Sequence, residues 1–185
     1  MNTSTPRLIL HPVDHQYIPD NNSPILESLK AVQFINPSIH DSGTYLAGNE
    51  FINLLSFLGC SPDIILSPDN GDKFCSISIP ETHDDITLLG YTSMIIPGCP
   101  VCNHKVVDWK QHFHQWKKGD YIYHCTECQT GTPVPRLKWR QEAGYGRFCI
   151  TISHIHPHEA VPSEKLLSTL QQTCNTDWTY FYANN

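Results

Sequence analysis

Two pairs of cysteines carry the most specific chemistry in this chain: Cys99-Pro100-Val101-Cys102 and Cys125-Thr126-Glu127-Cys128, with the stretch from Asn103 to His124 between them. Zinc takes four ligands in a tetrahedron at Zn–S distances of about 2.3 Å, and two residues between cysteines let one tight turn aim both sulfurs at one point. Pro100 sets φ inside the first turn, and Gly98 frees the backbone just ahead of it. The binding form is the thiolate, and the ion's own charge deprotonates the thiols. The separating stretch must leave the metal and return, as a short hairpin can. A shell of four thiolates leaves no coordination position for water or substrate, so such a metal is structural.

The stretch resembles the zinc-ribbon family. Gly98-Cys99-Pro100-Val101-Cys102-Asn103 is similar to its first knuckle, and Tyr123-His124-Cys125-Thr126-Glu127-Cys128-Gln129 to its second. The resemblance implies a zinc-binding module with Cys99, Cys102, Cys125 and Cys128 as ligands, and no particular activity. The family often has glycine after each knuckle, where this chain has Asn103 and Gln129. Asn tolerates the left-handed conformation and Gln does so poorly, so the second turn departs from the pattern. Other readings of the same cysteines stand beside zinc: disulfides, redox-active dithiols of the thioredoxin kind, and iron in a rubredoxin-like site. No strand-to-helix context surrounds either pair, which weighs against the dithiols.

The second concentration of ligating side chains is His154-Ile155-His156-Pro157-His158, followed by Glu159. In a strand, residues two apart share a face, so His154 and His156 would point together and hold a second metal; the plain alternative is a wet strand end. His112, His114 and His124 lie between or beside the knuckles, where four thiols already suffice. Trp109, Phe113, Trp116, Tyr121 and Tyr123 alternate with Lys110, Lys117 and Lys118. Such interleaving can stack on bases and neutralise phosphates, or the aromatics can form the small module's only core. Cys60, Cys75, Cys149 and Cys174 read as small buried hydrophobes. His83-Asp84-Asp85 reads as a polar loop. Asp14-His15 and the stretch Cys102 to Lys105 resemble pieces of HNH nucleases but lie far apart. There is no G-x-S-x-G, phosphate-binding loop or dinucleotide fingerprint to support an enzyme.

Charge adds a clue to partners. The net charge is −6. Between Ile95 and Arg140, however, Lys105, Lys110, Lys117, Lys118, Arg136, Lys138 and Arg140 face only Asp108, Asp120 and Glu127. A basic module on an acidic body follows, although four metal-bound thiolates reduce the excess. Met1 to Pro6 is polar with no apolar signal core, and no apolar run approaches the roughly 20 residues that span a bilayer. With 8 cysteines in 185 residues, the chain is no disulfide scaffold. A reducing cytoplasm and no membrane contact are the expectation.

The positioning elements read as follows. Arg7 to His11 is a short strand. Ser23-Pro24 opens a helix bearing Ile25, Leu26 and Leu29, and Ala31 to Ile35 suits helix or strand equally. Thr44 to Leu58 has Phe51, Leu54, Leu55 and Leu58 at helical spacing, with Gly59 as its cap and Pro62 beyond. Cys75, Ile77 and Ile79 alternate with serines as a half-buried strand. Thr87 to Ile96 is a second strand, feeding the first knuckle. Phe148, Ile150 and Ile152 alternate, a helix with Leu166, Leu167 and Leu170 follows from Pro162, and Trp178 to Tyr182 is a last, aromatic strand.

This order predicts an α+β chain: a ferredoxin-like split βαβ core of residues 1–95 and 141–185, with a zinc ribbon inserted at 96–140. The functional expectation is a cytosolic zinc-binding protein whose ribbon is a binding or adaptor module for a protein partner. Three alternatives remain open. The ribbon could bind nucleic acid through Lys105, Lys110, Lys117, Lys118, Lys138 and Arg140. The acidic body could dock on a basic protein, as an inhibitor or immunity-type partner does. Or a metal-dependent enzyme could use His154, His156 and His158.

Overall fold

The structure is a computed structural model that describes residues 5–41, 43–58, 64–68, 73–112 and 122–184. Strand β1 (Arg7–Pro12) is buried at every position after Arg7. Successive side chains of a strand point to opposite faces, so β1 must be covered on both sides. Helix α1 (Ser23–Ala31) carries Pro24 in its first turn, with Asn22 in the cap position and no side-chain cap bond. The ambiguous stretch after it resolves into a turn. Gln33 takes φ 56°, and the Phe34 amide donates to the Leu29 carbonyl at 2.9 Å, which ends the helix and starts β2 (Ile35–Asp41).

The helix expected over Thr44 to Leu58 does not form. The segment is instead β3 (Thr44–Ala47), one 3-10 turn (Ile52–Leu54) and β4 (Leu55–Phe57). The cause is the close approach of Gly48 to the preceding hairpin strand. Its amide donates to the Phe34 carbonyl at 2.9 Å, and a Cβ at Gly48 would strike the Gln33 carbonyl, so the chain bends there. Phe51, Leu54 and Leu55 are still buried while Leu58 is 66% exposed: the spacing found the apolar residues and mistook a turn plus a strand for a helical stripe. Gly59 and Pro62 lie outside the described residues.

The chain continues through β5 (Ser76–Ser78) and β6 (Thr87–Tyr91). β6 stops short of the expected Ile96, because the Ile95 amide turns back to the Thr92 carbonyl. Then come α2 (Trp109–His112), β7 (Ile122–His124), β8 (Gly131–Pro133) and a 3-10 turn (Val134–Arg136). β9 (Ala143–Gly146), β10 (Ile150–Ser153), β11 (Ala160–Pro162), α3 (Glu164–Cys174) and β12 (Trp178–Ala183) complete it. Pro162 closes β11 rather than opening the helix. Ser163 caps α3, its Oγ accepting from the Leu166 amide at 3.3 Å, and Asn175 in the left-handed region (φ 51°) ends it.

Mixed helix and sheet is thus the observed class. Six strands form one sheet in the order β12-β1-β10-β5-β3-β2, with every neighbouring pair antiparallel. Leu8 lies opposite Ile152 and Tyr182, and Leu10 opposite Ile150 and Tyr180. On that face they pack with Ile25 and Leu29 of α1 and with Leu166 and Leu170 of α3. Ile9, opposite Phe181, points the other way and packs with Phe181, Cys149, Ala183 and Leu89. The cover on that second face is the β6–β9 pair. Gly144 of β9 lies so close to the Phe181 ring that a Cβ there would overlap it. The Tyr182 amide donates to the Gln141 carbonyl at 2.8 Å and the Asn184 amide to the Tyr91 carbonyl at 3.1 Å, tying β12 to this layer. Helices, sheet and the β6–β9 layer therefore stack in that order.

Candidate metal centre

The two knuckles are built by one device used twice. The Cys99 amide donates to the His104 carbonyl at 2.8 Å, and the Cys125 amide to the Thr130 carbonyl at 3.0 Å. The Asn103 amide donates back to Cys99 at 3.0 Å, and the Gln129 amide back to Cys125 at 2.9 Å. Closing the turn this way needs a left-handed residue after the second cysteine. Asn103 (φ 63°) and Gln129 (φ 59°) both supply it, so glutamine does adopt the turn that glycine usually makes. Its own side chain helps, with Nε2 donating to the Thr126 carbonyl at 3.1 Å.

The knuckles face each other. Cys99 and Cys128 sulfurs are 3.7 Å apart and Cys102 and Cys125 sulfurs 3.6 Å, and all four lie within 4.8 Å of one another. A tetrahedron with Zn–S of about 2.3 Å has S···S edges of about 3.8 Å, so the donor set fits a tetrahedral thiophilic ion. The four thiols are free, with no disulfide among them. Among the described residues they are the one group in which three or more ligating side chains converge. The arrangement is consistent with a zinc-ribbon-like module.

Burial is uneven: Cys99 and Cys125, first in each knuckle, are fully buried, whereas Cys102 is exposed and Cys128 half-buried. Hydrogen bonding from Thr130 lowers the Cys128 thiol to about 6. At Cys102 the His104 backbone bond favours the thiolate, yet desolvation and the thiols of Cys128, Cys125 and Cys99 outweigh it and push the group up to about 12. Packed this closely, four sulfurs do not all ionise unless a cation offsets their charge.

The frame around the knuckles is a compact apolar cluster. Gly98 bridges to both Lys105 and Lys138, and the Lys138 ammonium reaches Asn103 Oδ1 at 2.5 Å. Behind this, Ile95, Val106, Trp109, Val134, Leu137, Trp139, Ala143 and Tyr145 are buried together. Trp109 Nε1 donates to the Ile95 carbonyl at 3.0 Å and Trp139 Nε1 to the Val134 carbonyl at 2.9 Å. The two indoles meet edge to face with centroids 5.2 Å apart. This cluster draws on residues on both sides of 95/96 and of 140/141.

Of the basic residues singled out in the sequence, Lys105, Lys110, Lys138 and Arg140 are exposed. Lys110 is tied to its own fold, donating to the Ser93 carbonyl at 3.3 Å and sitting 5.5 Å from the Tyr91 ring centroid. Trp109 is in the cluster, not on the surface. Lys117, Lys118, Phe113, His114, Trp116, Tyr121 and Asp120 lie outside the described residues, as does Cys60. Cys75 and Cys149 are buried, as their apolar settings predict, and Cys174 is half-buried.

The histidine stretch does not sit on one strand face. β10 ends at Ser153, and His154 and His158 both take left-handed φ, 60° and 64°. The His156 amide donates to Glu159 Oε2 at 2.9 Å, closing a turn, and among the described residues these histidines belong to no group of three or more converging ligands. The expectation of a shared strand face failed because period-two alternation was carried past the strand's end at Ser153 to His156. What the sequence reading missed is the polar support of the knuckles, namely the Thr130 bond to Cys128 and the contact of Thr126 Oγ1 with His104 Nε2 at 3.4 Å. The repeated offset from each first cysteine to His104 and Thr130 was visible but has no residue-type signature.

No family model, curated protein or solved structure matches this chain. Among the described residues no helix is long and apolar enough to cross a membrane.

Proposed function

We propose that this chain is a structural zinc protein of the cytoplasm in which one zinc, held by Cys99, Cys102, Cys125 and Cys128, fixes a ribbon of residues 96–140 as a docking module for a protein partner. The observation that carries the reading is the convergence of four sulfurs at tetrahedral spacing with no further ligand position. Zinc is the choice over iron because two C-x-x-C knuckles closing a four-thiolate tetrahedron are the common form of a structural zinc site. The host is a split βαβ core. Its support is that β10 and β12, joined through α3, are separated in the sheet by β1, as in one split βαβ unit.

A protein partner is favoured over nucleic acid by the module's surface. Met94 is 85% exposed, Val101 62% and Val107 73%. Ile96 is exposed as well, so several apolar side chains of this region lie outside the cluster. Exposed apolar groups beside lysines fit an apolar, acidic protein surface, whereas Trp109, an indole that base stacking would use, is buried.

Elemental analysis of protein purified without chelator tests the metal: one zinc per chain is expected, and iron or no metal overturns it. Crosslinking in lysate of the source cells tests the surface. Val107→Glu with Ile96→Glu should abolish a specific adduct while zinc content holds, and an adduct unaffected by the pair removes the docking role.

A further inference from the structure

A second concentration of titratable groups lies away from the metal, at the seam between the sheet and its β6–β9 cover. A cleft of about 210 Å³ there is lined by residues that include His11, His15, Trp139, Gln141, Tyr145 and Tyr180. Asp14, His15, Ile86 and Arg136 help to line a second cleft of about 460 Å³. His15 belongs to both, so the two adjoin.

Several features of this seam are costly for a surface that binds nothing. His11 is only 6% exposed, and its Nδ1 lies 2.9 Å from the Pro12 carbonyl oxygen. A carbonyl only accepts, so Nδ1 carries the proton and Nε2 is left as a lone-pair acceptor. Burial, reinforced by His15, takes the group down to about 4, and it is neutral at physiological pH. The Tyr145 hydroxyl is buried with no hydrogen-bond partner among the described residues. Phenylalanine would fill the same space without that penalty. The His11 and His15 rings lie in nearly parallel planes, 19° apart with centroids at 6.3 Å. Arg136 is exposed beside His15, where its charge lowers the imidazole's proton affinity after burial has done so and against the pull of Asp14. Flat apolar walls, a few polar groups and an adjoining cation are the makings of a small-molecule site.

We propose that the two clefts are one binding site for a small planar heteroaromatic molecule bearing an anionic group. The ring lies against Trp139 with His11 Nε2 as its hydrogen-bond partner, and the anion meets Arg136 and His15. The two clefts are lined by none of the four cysteines and by none of the docking residues.

Adenosine 5′-monophosphate is the probe, with adenosine and inorganic phosphate as its separated halves, followed by nitrogen-15 NMR of the zinc-loaded chain. Saturable shifts confined to 11–16, 135–145 and 179–180, including the Trp139 indole, are expected. Arg136→Gln should weaken binding about tenfold with Tm unchanged. No saturable shift up to about 10 mM, shifts elsewhere, or equal binding of adenosine or phosphate alone overturns the proposal. Arg136→Gln binding as tightly as wild type does so too.

Discussion

Replacing Cys125 by serine separates what the metal holds from what the apolar cluster holds. Cys125 is fully buried, its sulfur is 3.6 Å from that of Cys102, and its backbone closes the second knuckle through Thr130 and Gln129. Zinc binding to finger peptides is worth roughly 10–16 kcal/mol, so one ligand of four carries about 3 kcal/mol. At about 1.4 kcal/mol per decade, affinity should fall roughly a hundredfold. Competition against a chromophoric chelator measures that directly. The effect on the fold should be local. Eight side chains from Ile95 to Tyr145 form an apolar cluster of their own beside the knuckles, and the helices pack on the far side of the sheet. The far-UV signal of α1 and α3 should therefore survive. Near-UV signals of Trp109 and Trp139 should weaken, and protease should cut between residues 98 and 133. Unchanged metal affinity would remove Cys125 from the ligand set. Loss of the helical signal along with the metal would show that the ion organises the whole chain, and the local argument would be wrong.

Other outcomes follow from single contacts. Because His11 titrates near 4 in the folded chain against an ordinary 6.5, the unfolded chain binds the extra proton between those values. Its contribution to stability is therefore constant above pH 6.5 and lost as pH falls toward 4, by up to about 3 kcal/mol; His11→Phe should flatten this part of the denaturation-versus-pH curve relative to wild type. Gly144→Ala places a methyl in the Phe181 ring and should cost about 1–3 kcal/mol in urea melts, with no change in zinc stoichiometry. Gln129→Gly relieves about 1 kcal/mol of left-handed strain but loses the bond to Thr126, and should match wild type within about 0.5 kcal/mol. Gln129→Val keeps the strain without the bond and should lower zinc-loaded stability by about 1–2 kcal/mol.

The sequence alone determined the features whose physics is local. Two residues between cysteines suffice to aim two sulfurs, so the ligand set was legible from spacing. Ile150 and Ile152 alternate in β10, and Leu166 and Leu170 repeat along α3, because each element buries one continuous face. Tertiary structure decided everything that depends on an approach between distant segments. Whether Thr44 to Leu58 became a helix was settled by Gly48 meeting the Gln33 carbonyl, a contact absent from any window around Phe51. Where His154 points was settled by the end of β10: its amide still bonds in register to the Pro6 carbonyl at 2.8 Å, but its φ of 60° turns the chain out of the strand. The pairing of His11 and His15 with Arg136 and Tyr145 exists only because β9 lies across Phe181. A strand buried on both faces, as β1 is, cannot report from its own residues which segment will supply the second cover.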